Sequence, residues 1–125
     1  MKNKIVLYKI QKYREKVSRF YSVIENLSPK DIEDTDESLA LIQCLTNIHS
    51  LAMQISNEDI QQKLFVFYGN NINRCRNIAS HDYDSLNWHM VKELCKKVLS
   101  EKVNLAIKES LDIAIAEESN CKQYT

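Results

Sequence analysis

Eight consecutive residues, Arg76-Asn77-Ile78-Ala79-Ser80-His81-Asp82-Tyr83, carry the densest chemistry in this chain. A guanidinium presents a planar fork of N–H donors that matches a phosphate. An imidazole titrates near neutral pH and can take or give a proton in a transition state. Arg76 and His81 together are a minimal set for attack on a phosphodiester without a metal ion. Asn77 adds an amide able to orient the imidazole, and Tyr83 adds a phenol two residues past it.

The spacing limits how these groups can meet. At roughly 100° per residue, five steps carry His81 about 140° around a helix from Arg76. On a straight helix the two would face different directions, whereas Asn77 and His81, four apart, would share a face. Joint action on one substrate therefore requires the helix to end near Ala79 or Ser80, or a second copy of the chain to complete the site. Taken singly, each residue has a plainer role. Arg76 suits a surface ion pair, His81 the last carbonyls of a helix, Asn77 a backbone bond, and Tyr83 a half-buried ring.

The elements that would hold this stretch are helical. Val6, Ile10, Tyr13, Val17, Phe20, Ile24 and Leu27 alternate steps of four and three, one apolar stripe on a long first helix. Ser28-Pro29 stops it and can open a short turn of helix, with proline at the first position. Asp34-Thr35-Asp36-Glu37 suits a second helix start, followed by Leu41, Leu45, Ile48, Ala52 and Ile55, with Ile42 and Leu51 widening the stripe. His49 lies beside it with no ligand partner at metal spacing, which fits a core or boundary histidine. Asn57-Glu58-Asp59 caps a third helix, with Leu64, Phe65, Tyr68, Ile72, Cys75 and Ala79 on its inner face and a weak point at Gly69-Asn70-Asn71. After the motif, Asp84 or Ser85 can cap a fourth helix with Trp88, Val91, Leu94, Cys95, Val98 and Leu99 on its apolar side and His89 off it. Ser100-Glu101 either begins a fifth helix or continues the fourth.

Composition agrees. One glycine and one proline in 125 residues leave little material for hairpins, so the expectation is all-α: an antiparallel bundle with a four-helix core and an extra C-terminal helix. Residues 1–117 read as a single helical domain and 118–125 as a polar, frayed tail. Seventeen basic residues balance seventeen acidic ones, so no global basic field advertises nucleic acid. The first helix is nonetheless rich in cations, with Lys2, Lys4, Lys9, Lys12, Arg14, Lys16 and Arg19 against Glu15, and acids gather from Asp31 to Glu37. That asymmetry suits either an RNA-facing surface or a solvated one. Cys44, Cys75, Cys95 and Cys121 lack zinc-site spacing and fit reduced thiols in a cytoplasmic protein. Neither a signal peptide nor an apolar run of membrane-spanning length is evident.

Arg76-Asn77-x-x-x-His81-x-Tyr83 resembles the signature of HEPN-domain proteins, specifically the HepT toxins that pair with a minimal nucleotidyltransferase (MNT) antitoxin. The resemblance covers most of the chain, including the first helix, the helix from Asp36 to Asn57 and the Asp82-to-Trp88 lead into the next. The polar run Gly69-Asn70-Asn71-Ile72-Asn73 departs from the family pattern. The resemblance implies a HEPN-like homodimer that cleaves RNA without cofactor or metal, the motifs of two subunits facing one cleft. Arg76 would bind the scissile phosphate, His81 would handle the proton of the ribose 2′-hydroxyl or of the leaving oxygen, and Asn77 would support them. The nucleotidyltransferase would silence the toxin by attaching AMP to Tyr83 (AMPylation). Lys92, Lys96 and Lys97, like the basic first helix, are candidates to guide the RNA backbone. A rival keeps the fold without the chemistry, as a non-catalytic helical binding subunit of a nucleotidyltransferase. A purely structural helical dimer is a third reading.

Overall fold

A computed structural model describes residues 2–68 and 86–123, all of whose regular elements are helices. They are α1 (Asn3–Ile24), α2 (Pro29–Glu33), α3 (Asp36–Ala52), α4 (Glu58–Lys63), α5 (Phe65–Tyr68), α6 (Trp88–Val98) and α7 (Glu101–Gln123). The all-α expectation holds for the described residues. Arg76, Asn77, His81 and Tyr83 lie outside them, as does the weak point at Gly69-Asn70-Asn71.

Side-chain caps set most of the helix starts. Ser28 accepts from the Asp31 N–H ahead of Pro29, and Thr35 accepts from Ser38 N–H. Asn57 accepts from Ile60 N–H and Ser100 from Val103 N–H. Each satisfies one of the donors that a helix leaves unpaired at its N-terminus. The bond at Ser100 separates α6 from α7, so the last two helices are distinct. The cap of α6 is Asn87, which accepts from Met90 N–H at 3.1 Å, rather than Asp84 or Ser85. Asn87 competes well because its amide oxygen sits one residue before the apolar stripe begins at Trp88.

The stripes converge on one cluster of buried side chains. Val6, Ile10, Val17 and Ile24 of α1 meet Leu41, Leu45, Ile48 and Ala52 of α3, with Trp88, Val91, Leu94 and Val98 of α6. Helix α1 packs most extensively against α3 and also touches α6 and α7, while α4 packs on α7 and α5 on α3 and α6. Helices α1 and α7 run in opposite directions, because the start of α1 meets Glu117 and Glu118 while Arg14 reaches Asn104. Ser38 and Ser110 are buried without penalty, as each hydroxyl donates to a carbonyl of a preceding turn.

Two expectations change. Phe65 does not face inward: it is 74% exposed, whereas Leu64 and Phe67 are fully buried. The cause is a break at Leu64, whose φ of −96° and ψ of 25° end α4 and restart the helix in a new phase. Phe67 N–H then bonds Leu64 C=O at 2.8 Å, placing those two residues on one side and Phe65 on the other. At the far end, α7 continues through Gln123, so much of the segment read as a frayed tail is helical. Glu118 anchors that part by pairing with Lys2 at 3.2 Å and Lys4 at 3.0 Å.

Candidate functional site

Among the described residues, the candidates for contact with RNA are the lysines of α6 and the cations of α1, and the fold uses them unequally. Lys92 is half-buried and its Nζ donates to the Leu27 carbonyl at 2.9 Å. That bond ties α6 to the segment just past α1, which makes Lys92 a structural residue. Lys96 bonds Glu93 one turn earlier at 3.1 Å, and the pairing raises the lysine's pKa and lowers the glutamate's. Both side chains are exposed, so solvent screens the pair. Lys97 is exposed and has no ion pair among the described residues. Both Lys96 and Lys97 also lie in the last turn of α6, where a cation complements the helix dipole.

The six cations of α1, with Lys2 at its cap, divide in a similar way. Arg14 points inward and is 9% exposed; its Nε donates to Val98 C=O at 2.9 Å and its Nη1 to Asn104 Oδ1 at 3.5 Å. Burial lowers its pKa, and the nearby charge of Glu101 acts against that shift. Arg14 is therefore a latch between helices and is withdrawn from any RNA surface. Lys2 and Lys4 are occupied by Glu118, and Lys16 lies 5.3 Å from the centre of the Tyr13 ring. Lys9, Lys12 and Arg19 remain as exposed cations on this helix.

Sequence reasoning missed a cleft of about 520 Å³ between the α4–α5 junction and the α6–α7 junction. Lys63, Lys96, Lys97 and Lys102 line it, against Glu93 as the one lining carboxylate among the described residues, and Phe65 stands at its wall. Lys63 is held at 2.9 Å by Glu109 of α7. Lys102, like Lys97, is exposed and carries no ion pair among the described residues. The lysines were visible in the sequence as Lys96-Lys97 and Lys102. The ring was hidden, because Phe65 fits the inward stripe of a continuous helix and only the break at Leu64 turns it out.

Cys44 and Cys95 are buried on α3 and α6, and burial pushes the Cys44 thiol up despite Lys16 and Arg19 nearby. His49 is half-buried at the edge of the core, and His89 is exposed, as the periodicity predicts. No group of three His, Cys, Asp or Glu among the described residues is placed to hold a metal ion, and none of the described helices is long and apolar enough to cross a membrane. No family model matches the chain, and no curated protein or solved structure matches it.

Proposed function

We propose that this chain is a metal-independent endoribonuclease toxin of a HepT/MNT-type pair. It folds as a HEPN-like antiparallel bundle with a four-helix core and acts as a homodimer whose two motifs form one composite site. The observation that carries this reading is Arg76-Asn77-x-x-x-His81-x-Tyr83 within a chain whose described regular elements are all helices. The 2′-oxygen of the substrate loses its proton and attacks phosphorus, and the bond from phosphorus to the 5′-oxygen breaks as that oxygen gains a proton; His81 carries one of these two transfers and water the other. Arg76 stabilises the charge that accumulates on the phosphoryl oxygens, and Asn77 orients the imidazole or contacts the phosphate. The exposed cations Lys9, Lys12, Arg19 and Lys97 support the reading by leaving positive charge available for an RNA backbone.

Control comes from the partner. An MNT-type nucleotidyltransferase transfers AMP from ATP to the Tyr83 oxygen, with pyrophosphate leaving. The added bulk and negative charge then repel an RNA phosphate beside Arg76 and His81. A second reading, a non-catalytic binding subunit of the nucleotidyltransferase, is favoured by the internal engagement of Lys92 and Lys96.

The deciding experiment is RNA cleavage by the purified, unmodified protein in EDTA, with His81→Ala in parallel. Cleavage that survives EDTA and is lost in the variant supports the nuclease. Absence of cleavage by both, with Tyr83 shown unmodified by mass, favours the binding subunit.

A further inference from the structure

We propose that the cleft between the α4–α5 and α6–α7 junctions is a binding subsite for single-stranded RNA, with Phe65 stacking on a base and Lys97 and Lys102 holding the flanking phosphates. The choice of RNA over DNA rests on the nuclease reading above. The choice of a single strand rests on the cleft itself.

A phenylalanine that is 74% exposed is unusual beside a core that fully buries Leu64 and Phe67 on either side of it. Sequence-tolerant binding of single strands combines a cationic groove along the backbone with aromatic rings on which bases stack. Both parts are present. Among the described residues the lining holds four lysines and one carboxylate, and Phe65 supplies an open ring. Two of the lysines are already neutralised, Lys63 by Glu109 at 2.9 Å and Lys96 by Glu93 at 3.1 Å. Lys97 and Lys102 are exposed and make no ion pair among the described residues, which leaves them as the cations proposed to meet a ligand.

The ring discriminates between anionic ligands. A free phosphate would use the lysines and gain nothing from Phe65. Bases inside a duplex are stacked on one another and offer no face, so the ligand must be unpaired. The lysines would also attract an acidic peptide, and RNA is favoured over it by the nuclease reading on which this proposal rests.

The test uses the full chain carrying His81→Ala, so that the probe is not cut, and a fluorescein-labelled single-stranded RNA 12-mer followed by anisotropy. Adding Phe65→Ala should weaken binding by roughly 5- to 150-fold, the loss expected for one stacked base. Phe65→Trp should restore it. Replacing Lys97 and Lys102 by Gln should reduce the slope of log affinity against log salt by about 1.4, for two phosphate contacts on a single strand. Phe65 is exposed, so Phe65→Ala should leave the unfolding midpoint in place, which separates lost binding from lost folding.

Wild-type affinity in both the Phe65→Ala and the double lysine variants would overturn the subsite. If the chain carrying His81 still cuts RNA in that case, the nuclease reading survives without it. RNA held through Phe65 but never cut would retain the subsite and remove the nuclease. Binding of a poly-glutamate peptide through Phe65, with no binding of RNA, would overturn the proposal in favour of a protein ligand. Equal affinity for a DNA 12-mer would overturn its restriction to RNA.

Discussion

The Nε of Arg14 donates to the carbonyl of Val98 at 2.9 Å, joining the middle of α1 to the last residue of α6. The bond spans 84 residues of chain and is buried. Replacing Arg14 with Met should remove the donor, keep much of the packing and leave the Val98 carbonyl unpaired. The expected cost is about 1.5–3 kcal/mol, the usual range for a hydrogen bond to a charged group. Urea unfolding of the two proteins measures it directly. Arg14→Lys should lie between them, because an ammonium can approach Val98 but cannot also reach Asn104 through a planar fork.

Lys92 and Lys97 should separate structural from binding roles on one helix. Lys92→Met should lower stability by about 1 kcal/mol, through its bond to Leu27, and leave RNA affinity alone. Lys97→Gln should do the reverse, with an unchanged unfolding midpoint and a shallower salt dependence of RNA binding. If Lys92→Met weakens RNA binding without loss of stability, the division of roles is wrong.

Acid should loosen the chain ends before the core. The bonds from Lys4 and Lys2 hold the Glu118 carboxyl below its ordinary range. A carboxylate depressed in the folded state contributes stability above its unfolded value and loses it as pH falls through the folded one. Hydrogen exchange should therefore show amides near the start of α1 losing protection as the pH drops through and below the usual glutamate range. Glu118→Gln should show the weaker protection already at neutral pH, with little further change in acid.

His81→Ala should reduce the rate of RNA cleavage on the order of 10²–10⁴-fold, the usual contribution of a general acid or base. Arg76→Lys should also lose rate, since a point charge does not replace a planar fork on phosphate. Retention of full activity by either variant would exclude that residue from the site.

Tyr83→Phe should keep cleavage and abolish the mass gain of one AMP on co-expression with a nucleotidyltransferase partner. Intact-mass spectrometry of both proteins checks it. A persistent gain in Tyr83→Phe would move the modification to another residue.

The long helices were legible because their starts and stripes agree. Ser28-Pro29, Thr35 and Asn57 are caps in the sequence and caps in the fold, and Leu41, Leu45, Ile48, Ala52 and Ile55 are buried as their spacing predicts. Arg14 has the spacing of a core residue too. Ile10, Arg14 and Val17 keep the same four-and-three steps as Ile10, Tyr13 and Val17, but charge argued for the outside. A buried carbonyl 84 residues away reversed that preference, and nothing local encodes it. Phe65 was unreadable for another reason. Its orientation follows from non-helical dihedrals at Leu64, a residue whose type favours continuing the helix. The catalytic candidates Arg76, Asn77, His81 and Tyr83 rest on their spacing and resemblance, since they lie outside the described residues.

The clasp around Glu117 and Glu118 also has a consequence for synthesis. Lys2 leaves the ribosome 116 residues ahead of its partner Glu118. Asn3 and Asn57 likewise wait for Glu117. A nascent chain can begin packing α1 on α3, but it cannot join the start of α1 to α7 until Glu117 and Glu118 have been made. The order of synthesis thus works as a timer, delaying this seam between α1 and α7 until both sides of it have been made.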